Sequence, residues 1–134
     1  MFTLDPRLAA DTVPVATLTL SRVLLMDRRT WPWLVVVPQL PDLRELIDMD
    51  DDDRRRLSDE VAQVARVLRA TVTCDKLNVA SFGNVVAQLH VHVIARTVGD
   101  AAWPKPTWTV DAPDGYDPAA RDALVARLAA GLAA

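Results

Sequence analysis

The chain has little of what several classes of protein require. Its single cysteine, Cys74, excludes an internal disulfide and a metal site built from several cysteines. No apolar run approaches the roughly 18 consecutive residues that span a bilayer, and the first residues lack the basic and apolar segments of a secretory signal. A net charge of −3 argues against the strongly basic surface of a general nucleic-acid binder. We therefore expect a cytoplasmic protein that binds neither membranes nor nucleic acids.

Histidine is scarce as well, because the chain has only His90 and His92, separated by one residue. What is present is an ordinary globular composition, with 51% of the 134 residues hydrophobic and 25% charged. This length is sufficient for one domain with a core and too short for two ordinary domains. There is no internal repeat or flexible linker, so residues 1–134 are expected to form a single domain.

Hydrophobic periodicity and turn residues predict an α+β protein. Strands are expected over residues 17–26, 33–37, 76–81 and 86–96, and helical segments over 2–11, over 43–47, after Asp50–Asp53 and after Asp117-Pro118. We interpret the four aspartates as capping carboxylates at the start of a long helix rather than as a metal site. Hairpins and a long helix without a repeating βαβ pattern indicate an antiparallel sheet.

The last predicted strand contains both histidines, and its sequence has a period of two. One face is apolar, and the other is polar except for Ile94; this second face carries Gln88, His90, His92, Ile94 and Arg96. Side chains that follow one another on a face are roughly 6.5–7 Å apart along a strand. Two imidazoles at this spacing can contact a single phosphate group.

Such a row of side chains suits phosphate chemistry. A neutral imidazole can attack phosphorus, a second can donate to the non-bridging oxygens, and the Gln88 amide can add a donor. Backbone N–H groups of the Gly83-Asn84 turn, and the amides of Asn84 and Asn78, are further candidates for binding phosphate or ribose. A His-X-His pair also binds zinc or copper, but a third ligand is not evident. From the pattern alone, phosphate chemistry, metal binding and an incidental pair all stay open.

Other polar and aromatic residues have simpler interpretations. Arg96 is expected to be a surface arginine at the edge of the sheet, although it could pair with phosphate. Trp31 and Trp33 are expected in the core or at a dimer interface, with stacking on a base as the alternative. Cys74 is expected to be buried and inert.

Several segments together resemble the histidine triad (HIT) family. Gln88–Ile94 is similar to the family motif His-φ-His-φ-His-φ-φ, where φ is apolar, with glutamine at its first position. Gly83-Asn84-Val85-Val86 stands where the family often has Gly-Gln-Ser/Thr-Val. The segment from Leu34 to Pro41 resembles the strand ending in proline of the dinucleoside polyphosphate hydrolase branch, and Trp103-Pro104 resembles a late Trp-Pro of some members. The resemblance covers roughly residues 15–105.

The resemblance implies a fold and a reaction. The family has a five-stranded antiparallel sheet with one long helix, here followed by the C-terminal helix, and its members are typically homodimers. His90 occupies the position of the nucleophile that attacks the α-phosphate of a nucleotide, and His92 the position that contacts the phosphate and leaving group. The expected function is hydrolysis or nucleotidyl transfer on a dinucleoside polyphosphate or related nucleotide, without a required cofactor, although a divalent metal is possible.

Two departures keep alternatives open. Gln88 replaces the first histidine of the triad, and Trp33 stands where the family often has a further histidine. A nucleotide-binding or sensing protein that has lost turnover is therefore the first alternative. A domain that binds metal through two histidines is the second.

Overall fold

Five strands form one antiparallel sheet in the computed structural model, which describes all residues from Met1 to Ala134. The strand order is β1-β2-β3-β5-β4, and every neighbouring pair is antiparallel. The elements in chain order are α1 (Pro6–Asp11), β1 (Thr12–Thr17), β2 (Ser21–Met26), β3 (Trp33–Pro38), α2 (Asp51–Thr71), β4 (Lys76–Ala80), β5 (Val91–Arg96) and α3 (Pro118–Ala133). The predicted α+β fold, with five strands, a long helix and a C-terminal helix, is confirmed.

The N-terminal hairpin differs from the prediction. The strand expected over 17–26 begins only at Ser21, and residues 12–17 form a separate strand, β1, that was not predicted. The Leu18 N–H donates to the Ser21 carbonyl at 2.8 Å and closes the turn between them. The polar/apolar alternation continues through this turn, which hid the break. Strand β1 lies at the edge of the sheet, contains Pro14 and shifts its register between Pro14 and Ala16.

The strand expected over 86–96 is also shorter than predicted. Pairing begins at Val91, so Gln88 and His90 lie in the extended segment that leads into β5 and only His92 lies within the strand. Ahead of the strand, the Leu89 N–H donates to the Leu43 carbonyl at 2.9 Å. The backbone therefore joins the sheet only at Val91, although the alternation of side chains already begins at Gln88.

The two long helices pack together on one face of the sheet. The Asp50 side chain accepts from the Asp53 N–H at 2.8 Å, which confirms the capping role of the aspartate run. At Gly131 of α3, a Cβ would lie 2.7 Å from Cγ1 of Val67 in α2. Glycine at this position allows the two helices to approach closely. None of the helices combines the length and apolarity needed to cross a membrane.

The sheet separates two apolar clusters. The larger one, of 16 buried residues, fills the space between the sheet and the helices α2 and α3, and it includes the predicted apolar side chains of the last strand, Leu89, Val91, Val93 and Ala95. The smaller one, of nine, covers the opposite face and contains Trp31, Trp33 and Ile94. Both faces of β5 are thus buried, and the histidines lie on the side of the smaller cluster.

Arg96 is buried, so its predicted surface position is wrong. Its side chain is only 1% exposed and donates to the Asp100 carboxylate at 2.8 and 2.9 Å. Its third contact is with Asn78, whose Oδ1 accepts at 2.8 Å. The guanidinium holds the pKa of the Asp100 carboxyl well below its usual range. The pair fastens the loop after β5 because Asp100 also accepts from the Trp103 N–H at 2.9 Å.

Candidate active site

A cavity of about 530 Å³ contains both histidines. Its walls are mostly apolar, and they include Leu8 from α1, Met26 from β2, and Phe82, Val85, Val86 and Trp108 from irregular segments. Cavities of about 300–1,000 Å³ with apolar walls and a few polar groups are typical of small-molecule sites. Of the six predicted site residues, the cavity brings together four, namely Gly83, Asn84, His90 and His92.

His90 has a defined tautomer. Its Nδ1 lies 2.6 Å from the carbonyl oxygen of Gln88. A carbonyl can only accept a hydrogen bond, so Nδ1 must carry the proton. In the neutral ring, Nε2 is then the nitrogen with the free lone pair. The Ser81 hydroxyl donates to the carbonyl of His90 at 2.8 Å and helps to hold this residue ahead of the strand.

His92 has the opposite tautomer. The indole Nε1 of Trp33 donates to its Nδ1 at 3.0 Å, so the proton of the neutral ring lies on Nε2. Burial, together with a smaller contribution from the nearby His90, lowers the pKa of His92 from 6.5 to about 3. The two rings have centroids 4.8 Å apart. The cavity therefore holds one imidazole able to attack and one able to donate.

Aromatic rings surround His92. Trp108 has its ring centroid 5.0 Å from that of His92 and 4.7 Å from that of Phe82, and it is 42% exposed. Trp33 lies 5.3 Å from Trp108 on the buried side. These edge-to-face contacts form a partly open aromatic wall that can receive an aromatic ligand. The family resemblance placed Trp33 where a further histidine often stands, but it did not predict the hydrogen bond from its indole to His92.

The turn before the motif contributes Gly83 and Asn84. Gly83 has φ of +70°, in the left-handed region where glycine carries no steric cost. This conformation turns the chain from β4 back towards the segment that contains His90. It therefore keeps the Gly83-Asn84 turn at the cavity, as the sequence predicted.

Gln88 and Asn78 lie outside this cavity. The Gln88 side chain donates to the carbonyl of Thr3 at 2.8 Å and accepts from the N–H of Asp5 at 2.9 Å. It therefore holds the N-terminal segment, and through α1 it supports Leu8, which lines the cavity. Asn78 pairs opposite Ile94 in the sheet and is engaged with Arg96. The partners of Gln88 and of Asn78 are distant from them in sequence, so no local pattern could predict these contacts.

We predict that Gln88→Ala loosens the N-terminal segment without moving the histidines. The variant loses both hydrogen bonds to residues 3–5, which should lower the free energy of unfolding by about 1–2 kcal/mol. Hydrogen exchange should report faster exchange of the Asp5 amide, with little change in β5. Gln88→Glu is the matched control, since it keeps the acceptor for Asp5 and loses the donor to Thr3. Unchanged exchange at Asp5 in Gln88→Ala would contradict this role.

Stability should fall as the pH falls from 6.5 towards 3, in part through His92. The folded-state pKa is lowered, so within this window the unfolded chain binds a proton that the folded chain does not. One such group changes the free energy of unfolding by at most about 1.4 kcal/mol per pH unit. His92→Gln, which can still accept from Trp33, should show a shallower loss. Urea unfolding across this pH range measures both slopes, and equal slopes would show that His92 is not the titrating group.

The histidines have no set of further metal ligands beside them. No group of three or more His, Cys, Asp or Glu side chains is arranged to hold a metal ion. Catalytic zinc sites use three protein ligands and structural sites four. A zinc site at the two histidines would therefore need ligands from outside this group of side chains.

Comparison with known proteins places this geometry in a family. Residues 7–99 match the HIT domain family, whereas no curated protein sequence matches the chain significantly. The chain is similar to a histidine triad protein from Bradyrhizobium japonicum, with 42% identity, 98% of each chain covered and a TM-score of 0.95. Similar proteins from Sinorhizobium meliloti and Marinobacter aquaeolei have 39% and 38% identity, with TM-scores of 0.94 and 0.95. The alignment with the Sinorhizobium protein covers 97% of this chain and 96% of that chain. The alignment with the Marinobacter protein covers 99% and 97%. With this extent of agreement, the chain belongs to the HIT domain family.

Proposed function

We propose that the chain binds a nucleotide in the histidine cavity and transfers its nucleotidyl group to His90, from which water releases it. The observation that carries the proposal is the pair of fixed tautomers. Gln88 accepts from Nδ1 of His90 and leaves Nε2 as a nucleophile, whereas Trp33 donates to Nδ1 of His92 and leaves Nε2–H as a donor. The resulting nucleophile and donor lie in the same cavity.

The reaction has two displacements at the α-phosphorus. In the first, the Nε2 lone pair of His90 forms a bond to phosphorus while the bond to the leaving group breaks and its electron pair departs with that group. The imidazole then carries a positive charge, which the Gln88 carbonyl stabilises through the Nδ1 proton. In the second, water attacks phosphorus, the N–P bond breaks, and its electron pair returns to Nε2. The water proton leaves to solvent.

The rest of the cavity would bind the nucleotide. His92 would donate to a phosphate oxygen where negative charge develops, and backbone N–H groups at Gly83 and Asn84 would add donors. The apolar and aromatic walls, including Phe82 and Trp108, would pack against the base. In this proposal only these residues contact the substrate directly. Gln88 acts by holding the N-terminal segment, and Asn78 acts through its hydrogen bond with Arg96.

We propose further that the protein acts in the cytoplasm as a homodimer and needs no metal of its own, although a divalent ion can accompany a polyphosphate. Strand β4 is an edge of the sheet, and Val79 on it is 54% exposed. Pairing of two β4 edges would join two sheets and cover this residue. Sedimentation equilibrium should then give a mass near twice 14.7 kDa, whereas a mass of one chain would exclude the dimer.

The function is tested by a panel of dinucleoside polyphosphates, amine adenylates and AMP, each with and without a chelator. Chromatography measures products, and intact-protein mass spectrometry after rapid quenching detects a nucleotidyl adduct. Release of a mononucleotide together with an adduct supports the enzyme. Tight binding without turnover on any substrate supports the sensing alternative. Zinc retained in equimolar amount, with no nucleotide bound, would overturn both.

A further inference from the structure

The contact between Trp33 and His92 restricts the chemistry of the site. Trp33 lies on β3, and its indole Nε1 is 3.0 Å from Nδ1 of His92. The two side chains are buried, with 7% and 5% of their surface exposed. An indole N–H is a donor only, whereas an imidazole at this position could either donate or accept. A tryptophan here therefore allows one state of His92 where a histidine would allow several.

The state that Trp33 excludes is the imidazolium. A protonated His92 would carry a proton on Nδ1 as well as on Nε2, and its Nδ1–H would face the indole N–H across 3.0 Å. Two donors cannot share that distance, so protonation requires the contact to break. The distance between the two nitrogens, and the fact that both would be donors, thus exclude the imidazolium while the contact lasts.

On balance, the surroundings of His92 favour the neutral ring. His90 and the Asp11 carboxylate are the other titratable side chains that line this cavity. The carboxylate would favour the cation, but burial, with a smaller contribution from His90, lowers the pKa of His92 to about 3. His92 is consequently neutral over the pH range in which a cytoplasmic protein works.

We propose that Trp33 is a positioning residue that holds His92 as a neutral Nε2–H donor and thereby restricts the site to leaving groups that depart without a proton. This inference rests on the proposed function and names its substrate class. The substrate is a phosphoric anhydride, in which the leaving group is a phosphate, and not a phosphoramidate, in which it is an amine.

The two bonds make different demands. When an anhydride P–O bond breaks, its electron pair goes to a phosphate oxygen that is stable as an anion, and a hydrogen bond from Nε2–H of His92 suffices. When a P–N bond breaks, the electron pair goes to nitrogen, which must receive a proton from an acid. A neutral imidazole N–H is too weak an acid to supply it.

Trp33→Phe tests the inference because it keeps a buried ring and removes the donor. Nitrogen NMR should find Nδ1 of His92 unprotonated in the original protein and a raised pKa for His92 in the variant. The ratio of kcat/KM for a dinucleoside polyphosphate to that for an amine adenylate should fall by about tenfold, as a general acid becomes available. Trp31→Phe is the matched control, since Trp31 is 2% exposed and makes no hydrogen bond to His92. It should leave that ratio and the His92 signal unchanged.

The outcomes separate this inference from the proposed function. A proton on Nδ1 of His92 in the original protein would overturn the role of Trp33, whether or not the protein is active. Turnover of both substrates at similar rates would leave the proposed function standing and overturn the restriction on leaving groups. Turnover of neither would overturn the proposed function and the substrate class with it, while the NMR signal would still test how Trp33 positions His92.

Discussion

Replacing His90 by alanine should abolish the nucleotidyl adduct and lower kcat by about 10³-fold or more on every substrate of the panel. The cavity offers no second nucleophile of the same kind, because the Nδ1 of His92 is engaged by Trp33 and its Nε2 carries the proton. Rapid quenching and intact-protein mass spectrometry measure the adduct, and steady-state product release measures kcat.

The control for this change is His92→Gln, which keeps a hydrogen-bond donor in the cavity. It should slow turnover and still form the adduct on His90. Free imidazole should restore part of the activity of His90→Ala, since it can enter the space left by the side chain and carry the nucleotidyl group. An adduct that persists in His90→Ala at the original rate would show that another residue is the nucleophile.

The largest effect on stability is expected for Arg96→Met. The variant removes the cation and leaves the Asp100 carboxylate, only 10% exposed, without its charged partner. Loss of one member of a buried ion pair costs about 3–5 kcal/mol. Urea unfolding of the variant and the original protein at neutral pH measures this difference.

Two further variants define the cause. Arg29→Met breaks the ion pair with Asp114, whose side chains are 64% and 69% exposed, and it should change stability by less than about 1 kcal/mol. Asp100→Asn combined with Arg96→Met removes the stranded charge and should recover part of the loss. If the double variant is as unstable as the sum of the single ones, the buried charge is not the reason.

Elements whose hydrophobic pattern is continuous could be predicted from the sequence, and elements whose pattern is interrupted could not. Strand β3 and helix α2 have continuous patterns, and the Asp50 cap marks where α2 begins. Strand β1 is half-exposed and interrupted by Pro14, so its place depends on pairing with β2 rather than on its own residues. Contacts of this kind exist only once the sheet has formed.

The same distinction applies to the site. That His90 and His92 share one side of the chain could be predicted, because their alternation with apolar neighbours is local. The partner of Gln88 is the backbone at residues 3–5, and the partner of Arg96 is Asp100 together with Asn78. Polarity predicted that these side chains would face ligand or solvent. Tertiary contacts instead make them internal supports of the structure.

The two edges of the sheet have different consequences for assembly. Strand β1 is interrupted by Pro14 and by its shift in register, and these features discourage another strand from pairing with it. Strand β4 has no proline, so its edge lacks this obstacle to an added strand. A second copy that paired through its own β4 would leave only β1 strands at the outer margins. Growth would then end at two copies, and such a dimer would be protected from open-ended polymerisation into β ribbons.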